Sequence, residues 1–421
     1  MTSTLVQPVR VHPLRVRRNA VANVISPALC APEAAVASVF AAIRQRGPIA
    51  RDTIAAVTRL SIATVNRQVT ALLDAQLLRE RPDLVATGAV GRPRIPVEVN
   101  HQPYLTLGMH VGARTTSIVA SDLLGRALDV VEMPTPGGTQ SAALSALADS
   151  ARRYLSRWHR RSPLWFGVAV GGVVDTTGGH VDHNRLGWSQ APIGPVLASA
   201  LGLPVSVASH VDAMAGAELL LGNQGRRGSA LYVYARETVG FALAIDGRVH
   251  TPAGGPGTVA GLPVQSELLG GTGRLESTVS DEAVVAAARR AGILPAVGPN
   301  STISAVLRLA GEEGASGAFA RELLDERARV LGGALALMRD MLNPDDLVVG
   351  GQAFTDYPQG GEPLRAAFAG RSLLGAREIR LSVFGNRVQE AGASVVSLSS
   401  IFADPLGAVR RARQTTGRQA V

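Results

Sequence analysis

The histidines and the single cysteine are the residues whose chemistry is simplest to interpret. His180 and His183 flank Asp182, a grouping that could bind a metal ion or transfer protons. These residues fall in a turn-rich stretch, however, where ordinary loop residues are the commoner explanation. Cys30, the only cysteine, cannot form an internal disulfide or a thiolate metal site by itself. The sequence therefore predicts no metal site and no cofactor, and the lone thiol fits a reducing cytoplasm.

A stretch between residues 61 and 68 has the residue types that read DNA. Ser61 can cap a helix that runs from Ile62 to Ala75. One face of this helix is apolar and carries Val65, Val69, Leu72 and Leu73. The opposite face, near the start of the helix, carries Ala63, Thr64, Asn66, Arg67 and Gln68. A recognition helix places its base-reading groups there, so Ser61 and these five residues are predicted to contact DNA in the major groove.

Two further helices are expected to position this recognition helix. Apolar residues recur at helical spacing from Ala34 to Ile43, and Gly47-Pro48 ends that helix. A second short helix is predicted from Arg51 to Thr58. Three helices joined by tight turns are typical of a helix-turn-helix domain.

A β-wing is predicted after the third helix. Gly91-Arg92-Pro93-Arg94 follows a turn-rich stretch and precedes the extended segment 95–99. Arg92 and Arg94 would then lie at or beside the wing tip, close to a phosphate or the minor groove. The predicted unit is a winged helix-turn-helix spanning residues 34–100. The alternative is a small helical bundle in which Arg67 and Arg92 are only surface charges.

Length and composition indicate a folded protein of two or three domains. The chain has 421 residues, of which 46% are hydrophobic and 18% are charged. No run approaches the roughly 18 uninterrupted apolar residues of a membrane span, so no membrane association is expected.

The positive charge is concentrated at the two ends of the chain. The formal net charge is +9, and residues 1–100 contain 13 arginines against 6 acidic residues. Residues 405–421 add four arginines and no acid, and the remainder is slightly acidic. Residues 1–33 are predicted to be a disordered basic arm, and residues 405–421 are predicted to be a basic tail. A basic N-terminal segment on a near-neutral body is expected where one domain contacts the phosphate backbone of a nucleic acid. An export signal at the N-terminus is the less favoured interpretation, because Pro27 interrupts its apolar run.

The body of the chain, residues 104–404, has an α/β pattern. Residues 104–125 alternate apolar side chains around a glycine turn and predict a β-hairpin. Further strands are predicted at 166–170, 205–207, 231–234, 241–245 and 347–349, and helices at 141–158, 193–201, 213–221 and 318–341. This alternation predicts a mixed sheet covered by helices.

Four ordered segments of this body resemble the ROK family, which includes repressors and sugar kinases. Gly167 to Asp175 is similar to the segment G-x-x-x-P-G-x-V-D, with Gly171 in place of the proline. The other three are Arg185 to Trp188, Leu201 to Val205 and Asn343 to Gly351. The resemblance implies a winged helix-turn-helix joined to a two-lobed, actin-like ATPase fold. It also implies a homodimer or a dimer of dimers.

The resemblance also reveals which kinase residues this chain lacks. The family's catalytic base is the aspartate of an Asn-Asp pair, and Ser209 and His210 stand at that pair here. A kinase needs such a base to take the proton from the sugar hydroxyl. His210 or the nearby Asp212 could serve as the base of a divergent sugar kinase.

The family's phosphate and zinc motifs are altered as well. His110-Val111-Gly112-Ala113-Arg114 stands for D-x-G-x-T, and Arg236-Glu237-Thr238-Val239-Gly240 stands for G-T-G-x-G. A carboxylate at Glu237 would repel phosphate, so weak or absent ATP binding is expected. The zinc ligands are replaced, one histidine by Gly261 and three cysteines by Glu267, Leu269 and Arg274. Of the family's sugar contacts Glu276 remains, and Asn184 stands where the family lines its ligand cleft, so Asn184, Ser209, His210 and Glu276 are the candidate cleft residues.

The function predicted from the sequence is transcriptional regulation without catalysis. The winged helix would bind a double-stranded operator as a dimer, and the body would supply dimerisation and sense an effector. The enzyme alternative is the divergent sugar kinase described above. In a third interpretation the body binds a partner protein instead of a metabolite.

Overall fold

The molecule consists of a small N-terminal domain followed by two larger lobes. The structure is a computed structural model, and it describes residues 23–85, 94–222, 228–252, 255–296, 298, 301–375 and 377–417. Each lobe is built on a five-stranded sheet, and the N-terminal domain contributes a separate two-stranded sheet.

The N-terminal domain is a three-helix unit with a wing. Its elements are α1 (Ala35–Arg46), α2 (Arg51–Thr58), α3 (Ile62–Asp74), β1 (Leu78–Glu80) and β2 (Val97–Val99). The strands pair antiparallel, and Ile49 forms a further bridge to Val97. Phe40, Ile54, Val65 and Leu72 are fully buried where the three helices meet. The predicted winged helix-turn-helix is confirmed, and α2 has its predicted bounds.

The first lobe contains a mixed sheet with helices packed on it. Its strands are β3 (Tyr104–Val111), β4 (Thr115–Ser121), β5 (Ala127–Pro134), β6 (Ser162–Val170) and β10 (Val205–Ser209), in the order β10-β6-β3-β4-β5. β6 runs parallel to β3 and β10, whereas β3, β4 and β5 form an antiparallel meander. The helices α4 (Gln140–Ser156) and α5 (Ile193–Leu201) share a hydrophobic core with this sheet. The predicted hairpin and the predicted helices of this lobe are confirmed.

A small antiparallel sheet extends from the first lobe. It is formed by β7 (Val173–Asp175), β8 (His180–His183) and β9 (Trp188–Ala191). Gly171 and Gly172 separate β6 from β7, and a Cβ atom on Gly172 would lie 2.1 Å from the Asp182 carbonyl oxygen. Glycine is therefore required where the chain turns at the end of β6.

The second lobe repeats the arrangement of a five-stranded sheet with helices. Its strands are β11 (Ser229–Ala235), β12 (Val239–Ile245), β13 (Arg248–Val249), β14 (Asp346–Gly350) and β15 (Ile379–Leu381), in the order β13-β12-β11-β14-β15. Its helices are α7 (Leu275–Val279), α8 (Asp281–Arg290), α9 (Ile303–Ala310), α10 (Ala315–Leu342), α11 (Gln352–Thr355) and α12 (Gly361–Arg371). The strands predicted at 231–234, 241–245 and 347–349 are confirmed, as is the long helix α10.

Two helices, α6 (His210–Leu220) and α13 (Val388–Ala403), connect the lobes. The two helices pack against each other, and α6 also contacts β12 of the second lobe. α13 lies so close to the first-lobe sheet that a Cβ atom on Gly167 would be 2.3 Å from the Ser397 amide nitrogen. Two glycines in that sheet, Gly108 and Gly167, thus permit the close approach of α13.

Residues 23–33 form a strap along the body, and the predicted disordered arm is wrong for this part of residues 1–33. Val24 bridges to β10 of the first lobe, and Cys30 bridges to Arg248 in β13 of the second lobe. Between them the Leu29 side chain is buried with 4% exposure and lies against Gly216 of α6. These contacts are long-range, which is why local composition predicted disorder. Residues 1–22 lie outside the described residues.

The predicted basic tail is largely a helix, α14 (Pro405–Gly417). Ala408, Val409 and Ala412 are buried, and α14 contacts α1 and α3 as well as β6. Its arginines Arg410, Arg411 and Arg413 are exposed. The prediction of a separate tail failed because a narrow apolar face is hidden among these charges; residues 418–421 lie outside the described residues.

No single helix among the described residues is long and apolar enough to cross a membrane. The segments Gly385–Ala403 and Pro405–Thr415 meet the length and composition criteria only together, across a bend of 109°.

Truncating Leu29 should detach the strap. Leu29→Ala removes a buried side chain at a site walled by α6, so we expect a cost of about 2–5 kcal/mol. Denaturant unfolding and limited proteolysis within residues 23–33 would measure the loss. Glu33→Ala is the control: Glu33 pairs with Arg248, but both side chains are mostly exposed, at 73% and 60%, so little change is expected. Equal behaviour of the two variants would contradict a strap held by burial.

Candidate DNA interface and interlobe cleft

The first turn of α3 has the geometry of a capped recognition helix. The Ser61 hydroxyl accepts a hydrogen bond of 3.2 Å from the Thr64 amide and lies 2.9 Å from the Thr64 hydroxyl. Ser61 therefore satisfies one of the free amides at the start of the helix. Val65, Val69 and Leu72 hold the other face of α3 in the domain core. Because this packed face fixes the orientation of α3, the first turn of the helix faces outward from the domain.

The predicted base-reading residues form one outward surface. Ser61, Ala63, Asn66 and Arg67 are exposed, whereas Thr64 and Gln68 are half-buried. Arg67 takes part in no ion pair or hydrogen bond with any of the described residues, unlike several other arginines of the domain. An amide and a free guanidinium on one helix face match the donors and acceptors of base edges in the major groove.

The two arginines predicted for the wing differ in outcome. Arg94 lies at the base of the wing, with its guanidinium 2.5 Å from the Asp52 carboxylate on α2 and its side chain 78% exposed. It is therefore partnered within the domain; the wing tip beside which it was predicted to lie falls among residues 86–93, outside the described residues. Arg92 lies outside the described residues. Arg59, which sequence reasoning missed, is exposed and stands in the turn between α2 and α3 in a left-handed backbone conformation (φ 58°).

A cleft of about 430 Å³ lies between the two lobes. Three of the four predicted cleft residues, Asn184, His210 and Glu276, line it. Ser209 does not line it, because its buried hydroxyl caps α6 by accepting a hydrogen bond from the Asp212 amide. The lining also includes His110 and Arg236, from the segments that stand for the phosphate loops, and His183, which the sequence assigned to a turn. Tyr234 and Gln389 line the cleft as well, and sequence reasoning missed them as site residues.

Three imidazoles surround the inner end of the cleft. The His110 and His210 rings are stacked with centroids 6.1 Å apart, and His210 also lies 5.4 Å from the Tyr234 ring. Burial lowers the pKa of His110 to about 3 and the pKa of His210 to about 4, and it also lowers the pKa of His183. The histidines are therefore uncharged at neutral pH. His110 Nε2 is buried without a hydrogen-bond partner among the described residues.

Asp212, the carboxylate that follows His210 by two residues in the sequence, is not in the cleft. Asp212 is 5% exposed within α6 and is absent from the cleft lining. Burial raises the pKa of Asp212 to about 6. Its buried position does not favour the role of a base for a ligand between the lobes.

The two loops that stand for the phosphate loops are joined by ion pairs. Arg114, in the β3–β4 turn, lies 2.8 Å from Glu282 at the start of α8 and 3.8 Å from Glu237 in the β11–β12 turn. Arg185 lies 3.7 Å from Glu282 and donates a hydrogen bond to the Glu237 carbonyl oxygen. Burial raises the pKa of Glu237. These four side chains, hereafter the cleft-mouth network, link the first lobe to the second.

The other histidine group has local roles. His183 Nδ1 accepts a hydrogen bond from the Leu186 amide, and the Asp182 carboxylate accepts two from Gln190. No group of three or more metal-binding side chains occurs within the described ranges. Asp182 and His183 thus organise the connection between β8 and β9, whereas His180 stands at the start of β8 opposite Asp175.

Comparisons with known proteins identify the chain's relatives. A model of the ROK family matches residues 106–373. Over 415 residues the chain is 64% identical to the Transcriptional regulator Rv0485 of Mycobacterium tuberculosis (strain ATCC 25618 / H37Rv), covering 96% of this chain and 93% of that protein.

Solved structures share the fold. A ROK family transcriptional regulator, described as a homologue of the E. coli MLC protein, has a TM-score of 0.71 at 21% identity and covers 89% of this chain and 98% of its own. A ROK family glucokinase from Streptomyces griseus, crystallised with glucose and AMPPNP, has a TM-score of 0.59 at 20% identity and covers 70% of this chain and 99% of its own. The predicted two-lobed, actin-like body is thereby confirmed, and the chain belongs to the ROK family.

Proposed function

We propose that this chain regulates transcription by inserting α3 into the major groove of an operator. The observation that carries the proposal is the outward face of α3, where Asn66 and the unpaired Arg67 stand on a capped helix. The relative that is 64% identical is named a transcriptional regulator, which supports the same role. Arg59 and the wing arginine Arg92 are proposed to add phosphate or minor-groove contacts.

The functional unit is proposed to be a homodimer or a dimer of dimers. A single winged helix reads only one half-site, whereas two related by a two-fold axis read a palindrome and gain affinity together. The body lobes, which form most of the molecular surface, are the proposed source of the dimer contacts.

The body is proposed to bind an effector without transferring phosphate. Arg114 pairs with Glu282 beside the cleft, and the lining residue Glu237 adds negative charge in a loop that would have to approach phosphate. His210, at the position of the family's base, has a pKa near 4, so it would be a weak proton acceptor at neutral pH. These features favour a sensor over the divergent sugar kinase.

Removing the recognition side chains should weaken operator binding. Arg67→Ala and Asn66→Ala are each expected to cost about 1–3 kcal/mol and to relax specificity at one base position. Titration of the chain's own upstream intergenic DNA, with competitor DNA and a salt series, would measure both effects. Arg152→Ala, an exposed arginine on α4 paired only with Asp149, is the matched control and should bind as the wild type does. Specific binding that survives both α3 changes would rule out this helix as the reader.

Nucleotide should not bind the cleft. At millimolar Mg-ATP, calorimetry is expected to give no heat of binding with this chain and a clear signal with a ROK glucokinase, because the phosphate loops are bridged by side chains. The kinase alternative requires phosphoryl transfer to a hexose that is lost in His210→Gln or in Asp212→Asn. That activity would have to persist in His159→Gln, a change at an exposed histidine of the first lobe. Such a pattern would overturn the sensor proposal and leave the DNA-binding proposal to its own test.

A further inference from the structure

A second cavity, separate from the interlobe cleft, lies where the winged helix meets the body. Its volume is about 280 Å³, and its walls come from the strap, α1, α6, α13 and the turn between β12 and β13. We call it the junction cavity; it is lined by Ala31, Phe40, Ala41, Arg44, Leu219, Leu220, Asp246 and Phe402, among others. This volume is just below the usual range for ligand pockets, which suits only a compact metabolite.

Arg44 is the cationic group of the junction cavity. Its guanidinium donates a 2.7 Å hydrogen bond to the Leu220 carbonyl oxygen and lies 4.2 Å from the centre of the Phe402 ring. No carboxylate of the described residues pairs with it, and its Nε is buried without a hydrogen-bond partner. Burial lowers the pKa of Arg44 to about 10, so the side chain remains charged at neutral pH.

A partly buried cation without a paired counter-charge is costly, and a bound anion would relieve that cost. The Leu220 carbonyl and the Phe402 ring offset only part of it, because neither carries a formal charge. Guanidinium groups bind carboxylates through short, charge-assisted hydrogen bonds, and here Nη1, which makes no hydrogen bond to the described residues, is the donor left for a ligand. Arg44 therefore has the charge and the position of an anion-binding residue.

The remaining walls define the rest of the ligand. Phe40, Leu219, Leu220 and Phe402 are apolar, which favours a hydrocarbon chain next to the charged group. Asp246 is exposed at the cavity and would repel a second negative charge. One cation, apolar walls and an acidic residue together select against phosphates and dicarboxylates.

We infer that the junction cavity binds a small monocarboxylate with a short apolar chain, its carboxylate on Arg44. The ligand would contact α1 of the winged helix on one side and the strap, α6 and α13 of the body on the other. Binding would therefore stabilise this arrangement of the DNA-binding domain against the body. If operator binding changes the same arrangement, thermodynamic linkage requires that the ligand also change the affinity of the chain for the operator.

Ligand binding to the full-length chain tests the inference without DNA. Butanoate, hexanoate and octanoate at millimolar concentration would be followed by thermal melting and calorimetry. At least one should stabilise the chain with a stoichiometry of one per protomer, while 1-hexanol, succinate and inorganic phosphate should not. Binding of phosphate or succinate in preference to the monocarboxylates, or of none of the probes, would overturn the proposal.

Three variants locate the binding. Arg44→Gln is expected to weaken monocarboxylate affinity about tenfold or more, since a charge-assisted hydrogen bond is lost. Arg46→Gln removes an exposed arginine from the same helical turn and should leave affinity unchanged. Ala41→Phe fills the cavity but keeps Arg44, so it should also abolish binding, and circular dichroism would confirm that each variant is folded. Equal affinity in the wild type, Arg44→Gln and Ala41→Phe would assign the ligand elsewhere and refute the junction cavity.

Discussion

Backbone pairing of the strap with both sheets is the interaction on which the arrangement of the whole molecule depends. A β-sheet edge leaves amide and carbonyl groups unpaired, and these groups need partners wherever water is excluded. Here the Ile25 amide donates to the Val205 carbonyl on β10, and the Val249 amide on β13 donates to the Leu29 carbonyl. A few residues thus connect the outer edges of the two lobes. The same segment continues directly into α1, so the lobes and the winged-helix domain share one piece of chain.

At the cleft between the lobes, the same loops can adjoin either the phosphate of a ligand or charged side chains of the protein. A phosphate group needs small residues and donors at both loops, because the backbone must approach it closely. In this chain the cleft-mouth network fills that place with side chains of both signs, which satisfy each other across the lobes. Each pair is partly exposed, so each contributes only modestly to stability. Together the pairs hold the two loops next to each other without a bound nucleotide. The deeper cleft remains open and is surrounded by neutral imidazoles and Glu276.

The sequence predicted the local parts of this structure well because their determinants are local. The bounds of α2 and α5 matched, and the Ser61 cap was foreseen, since spacing and a capping hydroxyl depend only on neighbouring residues. The strap and α14 were missed because their partners, such as Val205 for Val24, are far away in the chain. The cleft was predicted in part: Asn184, His210 and Glu276 lie in matched segments. His110 and His183 stood in two separate motifs of the sequence, and only the fold brings them to His210.

The placement of the strap also constrains how the lobes can move. A rotation of the second lobe against the first must change the distance between β10 and β13, the two strands that the strap joins. A segment this short has limited reach, so a large rotation has to break the pairing at one end or displace Leu29 from its site on α6. Ala31 and Pro32, which follow Leu29, are walls of the junction cavity. The same movement would therefore change both the angle between the lobes at the interlobe cleft and the shape of the junction cavity beside α1, because the strap is one continuous piece of chain.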